Sequence, residues 1–442
     1  MLRRPAKLRH LNGSTIAAFC FVISIVLSLA SIISTTRKMP IDFATLYAGG
    51  AAVRGGQDPY SQAVICSIEH QVSPGQLCFP FPYPPPFTAV MLPLSYLPFH
   101  LAAYLWVGLM VACAIALTFV VARLSEVSLR GPIALCLVIA ATLVFAPMKH
   151  GFATGQSDAL SGLLAVASIA VATVTPRRAG VLAALAVFVK PQTVALPMLA
   201  LVWKRPKVVS GIVLATIGTA VTLVLLGGSP ATLIAWAKVA ATVRATPHPL
   251  LTVFQLALAA ASLIWVGIRW RNQKIGVVKL CASAAALTAI VGSLVHLQTD
   301  SLTLLILPLL LVLRPWIIST GPPPIRVAVA LGVICGLLSG DAVFAVSYNA
   351  GWSHAIIPWI TAAAFGAGVV LLRRSLAFIT LTALFTNLVI TFPPLPPPTQ
   401  TVFGALAGFG LLIILGIEGF RSHPTVGRDR DGSPLVTSVV RS

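Results

Sequence analysis

The sequence predicts an all-α polytopic membrane protein: a bundle of about twelve transmembrane helices, a re-entrant hairpin and an amphipathic first outer loop. Three observations predict it. The chain is 57% hydrophobic and 9% charged, with a mean hydropathy of +0.95, whereas a soluble domain carries about 25% charged residues. Apolar stretches close to the roughly 20 residues a spanning helix needs recur from one end to the other. The 30 Lys and Arg residues cluster at alternate ends of those stretches, the bias that marks cytoplasmic loops.

The elements follow in order. Residues 1–13, with Arg3, Arg4, Lys7 and Arg9, form a cytoplasmic N-terminus, and 14–36 the first helix. Its apolar core exceeds the 7–15 residues of a signal peptide, and no clean cleavage motif follows. Residues 37–100 form the first outer loop. Within it, 42–54 and 61–71 read as short helices lying on the membrane, Pro80 to Pro86 as a stiff extended segment, and Leu92 to Pro98 as the return to the bilayer. Spans follow at 101–122, 132–148, 157–175, 208–227, 251–268, 280–297, 326–346, 355–372, 375–391 and 400–420, with 301–313 short but apolar up to Arg314. Residues 14–420 thus make a single integral membrane domain. The charged, Gly- and Pro-containing stretch 421–442 reads as a disordered cytoplasmic tail. No alternating ten-residue pattern indicates a barrel.

One segment breaks the simple alternation. Arg177 and Arg178 on one side, and Lys204, Arg205 and Lys207 on the other, should all be cytoplasmic, yet a single apolar stretch separates them. That stretch is interrupted by Lys190-Pro191, and proline breaks the helical ladder. A re-entrant hairpin over 179–203, with Lys190 near its apex, resolves both points and leaves both termini cytoplasmic. Broken helices at membrane depth are tolerated where they line a cavity.

With this topology Asp42, Asp58, Glu69, Asp158, Asp300 and Asp341 face outward, and only Glu126, Glu418, Asp429 and Asp431 face inward. Acidic residues contribute little to topology, so a polar site on the outer face is the simplest cause. The net charge of +20 is accounted for by helix-end clusters and does not indicate a nucleic-acid partner. Cys20, Cys113, Cys136, Cys281 and Cys335 lie in apolar helices. Cys66 and Cys78 share the outer loop and are disulfide candidates in an oxidising compartment; two free thiols are the alternative.

No phosphate loop or dinucleotide fingerprint is present, and no His/Cys cluster has zinc spacing. Asp42 and Asp300 alone make a poor divalent site, so neither metal nor cofactor is expected. Ionisable groups at membrane depth mark function by default, and the outer set is Asp42, His150, Gln156, Asp158, Lys190, His248, His296, Gln298 and Asp300. A carboxylate suits proton abstraction from a hydroxyl, and Lys and His suit neutralisation of phosphate. Structural readings stand beside these: Asp158 as a helix cap, Asp58 as a turn residue, Lys190 snorkelling to the interface.

The ordered set Asp42-Phe43…Tyr47, Gly56-Gln57-Asp58-Pro59-Tyr60, Tyr83-Pro84-Pro85-Pro86…Pro93-Leu94…Leu97-Pro98…Trp106, Gly155-Gln156, Lys190-Pro191 and His296…Asp300 resembles glycosyltransferase family 87. The resemblance covers about 40–315. It implies a type C glycosyltransferase fold and a polyprenyl-phosphate-mannose-dependent, mannosyltransferase-like activity at a site facing away from the cytoplasm. The donor would be a lipid-linked sugar and the acceptor a lipid or glycan, in a bacterial cytoplasmic membrane with the site toward the periplasm or exterior. It makes Asp42 the general base, and Lys190, His296, Asp300, Gln156, Tyr47, Asp58 and Tyr83 the donor- and acceptor-binding set. A single base implies inversion, since retention needs a second carboxylate as nucleophile. The chain departs from the family pattern at Ser157-Asp158 and after residue 400. A transporter or flippase of a lipid-linked substrate is the alternative, because broken helices also suit transporters; against it, the halves show no repeat.

Overall fold

The computed structural model describes residues 40–74, 78–126, 146–225, 228–242, 276–292 and 303–308, together with isolated residues 33, 142, 257, 260–262, 264 and 311. The expected first helix (apart from Ile33), the spans from 326 onward and the tail lie outside them, as do His248, His296, Gln298, Asp300 and Asp341. Every regular element among the described residues is helical.

Helix α1 (Ile41–Arg54) follows Pro40, whose extended backbone starts the turn, and carries Asp42 in its first turn. There the helix dipole favours a carboxylate. Helix α1 differs from the surface helix expected, because Phe43 to Ala52 are all buried. Its small residues explain why: a Cβ on Gly49 would lie 2.5 Å from the Phe81 ring, and one on Gly50 2.7 Å from the Met91 carbonyl. Helix α2 (Gln62–Val72) packs on α1. Helix α3 (Pro85–Met91) begins where an extended segment was expected, because prolines fit the first helical turn, where the missing N–H costs nothing. A 3-10 turn at Leu94–Tyr96 leads into α4 (Phe99–Leu124).

Helix α4 has 26 residues and two faces. Ala102, Trp106, Met110, Ala114, Leu117 and Val121 are buried, while Leu101, Leu105 and Leu109 are about half exposed on the opposite side. The stretch Pro206–Leu225, which includes α9 (Val209–Leu225), is even less covered, with Val213, Leu214, Ile217, Val221, Val224 and Leu225 outward. Both are long and apolar enough to cross a membrane. Contiguous outward apolar surface of this kind marks a side that faces a membrane or another protein surface.

Between them lie α5 (Ala146–Thr154), α6 (Asp158–Val171), α7 (Pro176–Val189) and α8 (Pro191–Lys204). Lys190 alone separates α7 from α8, at φ −153° and ψ 84°. Each of these helices is about 21 Å long at 1.5 Å per residue. Yet the residues just after α8 touch the start of α7: a Cβ on Gly180 would sit 2.0 Å from the Val208 carbonyl, and one on Gly211 1.9 Å from that of Arg177. The two helices therefore double back as a hairpin with Lys190 at the bend. Helix α10 (Pro230–Thr242), which no sequence period marked, follows, and its Trp236 Nε1 donates to the Pro82 carbonyl at 3.0 Å. Helix α11 (Val277–Gly292) packs along α8.

The Gly180/Gly211 contact generates the first test. Gly180→Val forces backbone apart where no flexible group can yield, and overpacking of this sort costs about 1–3 kcal/mol. A lower melting temperature of the detergent-solubilised chain, together with faster proteolysis near 205–211, is expected. An unchanged melting curve would mean the hairpin does not close there.

Candidate active site

The site is built around one turn. Helix α5 ends at Gly155, which has φ +79°, a left-handed conformation that glycine adopts without penalty. A Cβ there would fall 2.6 Å from Phe43 Cβ and 3.2 Å from Pro40 Cβ. The turn is thus seated against the entrance of α1, and Asp42, half-buried, lies between the two residues it touches. The Gly155 carbonyl accepts from Trp106 Nε1 at 2.8 Å, fixing the turn to α4.

The next residues carry the polar chemistry. Gln156 Oε1 accepts from Tyr83 OH at 2.7 Å and from Lys190 Nζ at 2.9 Å. Lys190 Nζ also forms an ion pair with Asp158. Gln156, Asp158 and Lys190 are 7%, 3% and 4% exposed. A buried lysine without a counter-charge is very costly, and Asp158 supplies the counter-charge. Ser161 Oγ lies 3.4 Å from Thr193 Oγ1, and Thr193 donates to the Lys190 carbonyl at 2.9 Å, so α6 and the bend are joined by neutral bonds as well.

An aromatic chain ties the outer loop to this turn. Tyr60, Phe81, Tyr83, Phe87, Trp106, Phe43 and Phe99 follow one another at centroid separations of 4.9 to 6.3 Å. Burial, then the charge of Asp58, pushes the Tyr60 phenol far up. It stays protonated and donates to the Tyr83 carbonyl at 2.9 Å.

Tyr83, Gln156 and Lys190 are therefore brought together, with Asp42 at the neighbouring helix entrance. Two expected ligand-binding residues are placed elsewhere. Tyr47 is buried and donates to the Leu97 carbonyl at 2.9 Å. Asp58 is exposed and accepts from the Tyr60 N–H at 2.9 Å, closing a local turn. His296 and Asp300 lie outside the described residues. Cys66 and Cys78 are joined by a disulfide with Cα atoms 5.2 Å apart. His150 falls within α5. Among the described residues no group of three or more His, Cys, Asp or Glu could hold a metal ion.

Two acidic residues matter more than the sequence indicated. Asp158, in the first turn of α6, is the charge partner of Lys190. The signal was available: a lysine at membrane depth requires an acid, and few were on offer. The second, Glu69 on α2, is 3% exposed. Its Oε2 accepts from the Phe79 N–H at 3.1 Å. Burial pushes its pKa up and the charge of Asp42 adds to this, while Thr45, Phe79 and His70 pull the other way.

The described residues thus form a helical fold with a buried polar centre and two helices long and apolar enough to cross a membrane. Residues 81–248 match the model of glycosyltransferase family 87, and the match supports membership of that family, with the glycosyltransferase activity it implies. The matched stretch contains Tyr83, Gln156, Asp158 and Lys190 and stops short of Asp42 and Glu69 on one side and His296 and Asp300 on the other. No curated protein and no solved structure matches the chain.

The Asp158–Lys190 pair generates the second test. Asp158→Asn or Lys190→Met alone leaves an uncompensated buried charge, a loss of about 3–5 kcal/mol. Together they remove both charges, and the double variant should be more stable than either single one in thermal melts. Losses that simply add would show the two groups to be uncoupled.

Proposed function

We propose that the protein transfers a sugar, mannose by family resemblance, from a polyprenyl-phosphate donor to a hydroxyl of a lipid or glycan acceptor on the outer face of the membrane. The observation that carries this reading is the seating of the α1 entrance on the Gly155 turn. Pro40 and Phe43, which flank Asp42, pack on Gly155, and the next residue is Gln156, which holds Lys190; this supports grouping Asp42 with Gln156 and Lys190.

Asp42 in its ionised form takes the proton of the acceptor hydroxyl. The acceptor oxygen attacks the anomeric carbon as its bond to the phosphate oxygen breaks. That electron pair leaves on polyprenyl phosphate, and the configuration at the anomeric carbon inverts. The protonated Asp42 then returns its proton to water. Such general-base assistance contributes roughly 10²–10⁴-fold in rate. Lys190 meets the phosphate by sharing its ammonium between it and Asp158, and Gln156 and Tyr83 hold the sugar-phosphate end. Charge held in a dry, preorganised site acts more strongly than in water. His296 and Asp300 complete the donor site in this reading. The lipid-linked donor lies in the membrane beside the outward apolar faces of α4 and α9, and the chain is multi-pass in a bacterial cytoplasmic membrane. The Cys66–Cys78 disulfide supports an outer loop in an oxidising compartment.

The test is transfer of radiolabelled mannose from polyprenyl-phosphate-mannose to membrane lipid. Wild type should transfer and Asp42→Asn at equal expression should fall by at least about 100-fold. Equal transfer by both removes Asp42 from the mechanism. Coupled movement of the whole donor across vesicles, without transfer, favours the transporter reading.

A further inference from the structure

Asp42 and Thr45 are three residues apart on α1 and so share one helix face. Helix α2 packs on α1, and Thr45 and Asp42 are the α1 side chains that act on the buried Glu69 carboxyl, which sets it toward the face that carries Asp42. Glu69 is buried to 3% exposure, and although its Oε2 receives the Phe79 N–H, its Oε1 has no hydrogen-bond partner among the described residues. A carboxyl oxygen buried without a partner is costly, and more so when the group is charged. The arrangement persists because the loop is fixed from both sides. Cys66, one turn before Glu69 on α2, is bonded to Cys78, the residue before Phe79. The disulfide therefore holds the Phe79 N–H at the carboxyl.

We propose that Glu69 is a positioning residue for Asp42: a second carboxyl that carries the proton of a two-carboxyl unit and fixes the entrance of α1 through Thr45. The inference rests on the reading of Asp42 as the base. It deepens that reading by stating the charge at the site, which is one negative charge in the resting enzyme and not two. A single charge leaves a base for the acceptor hydroxyl without repelling the anionic donor. Two neighbouring carboxyls titrate as a pair, and loss of the second proton puts two like charges together. The ionisable groups facing Glu69 are Asp42 from α1, which holds its proton on, and His70 from α2, which opposes this. The segment packed against it from Phe79 brings only a backbone N–H.

The sign of the effect on stability follows. A carboxyl whose folded pKa is raised contributes stability that is full below its ordinary value of 4.5 and is lost as pH rises through the raised value. The experiment is the melting temperature of the solubilised full chain against pH for wild type, Glu69→Gln and Asp42→Asn, with transfer of labelled mannose measured on wild type and Glu69→Gln. Wild type should lose stability across that window and Glu69→Gln should not. Asp42→Asn, by removing the like charge, should move the loss to lower pH. In transfer, Glu69→Gln should lower kcat by roughly tenfold with KM little changed, and activity should no longer decline on the alkaline side. A wild-type window that Asp42→Asn does not shift, or an alkaline decline that survives in Glu69→Gln, overturns the proposal. Failure of wild type to transfer mannose would sink the donor assignment alone, since the melting series still decides whether the two carboxyls are coupled.

Discussion

The structure depends on the backbone of one turn. At Gly155 the chain adopts a left-handed conformation with no room for a side chain, because the entrance of α1 occupies that space. From this contact the rest follows. The Gly155 carbonyl is fixed by Trp106, Gln156 is set between Tyr83 and Lys190, and Asp158 opens α6 facing the bend of the hairpin. Three segments distant in sequence, namely the outer loop, the helix α4 and the hairpin α7–α8, meet at four consecutive residues. The site is thus preorganised by packing that would be lost if that turn could relax.

Energetics explain why the polar groups sit where they do. In a chain with so few charges, each buried charge must be matched, and the Asp158–Lys190 pair is matched at close range. Such a pair is poor at adding stability compared with apolar residues, but breaking it is costly. Its value here lies in specifying one arrangement: the ammonium group at the bend meets Asp158 and Gln156 when α6 and the hairpin are in register. The aromatic chain from Tyr60 to Phe99 runs from the outer loop to α1 and α4, and two of its members, Tyr83 and Trp106, bond Gln156 and the Gly155 carbonyl.

Much of this was legible in the sequence, for identifiable reasons. Helix α4 was readable because an uninterrupted apolar run of its length has few other fates, and the break at Lys190-Pro191 because proline cannot continue the ladder. Basic clusters on both sides of that break marked the doubling back. The elements that were not legible depend on contacts made by small residues. Burial of α1 rests on Gly49 and Gly50, whose lack of side chains says nothing about which partner approaches. The role of Asp158 was masked by its position at a helix start, where an acid has an ordinary capping use. Glu69 was hidden for another reason: only folding brings α2 against Thr45, and no local pattern distinguishes a buried glutamate from an exposed one. Tyr47 shows the converse, a residue within a family-like motif whose hydroxyl serves backbone carbonyls of the 94–97 turn.

The central claim is that Asp42 and the Gln156–Lys190 cluster serve one reaction centre, brought together by the α1 entrance on the Gly155 turn. The most direct measurement is an electron cryo-microscopy structure of the full chain with a non-transferable polyprenyl-phosphonate sugar bound. The account predicts the phosphonate beside Lys190 and Gln156, and the anomeric carbon facing Asp42 with room for one acceptor hydroxyl between them. A sugar bound away from the α1 entrance, with Asp42 out of reach of the anomeric carbon, would contradict it.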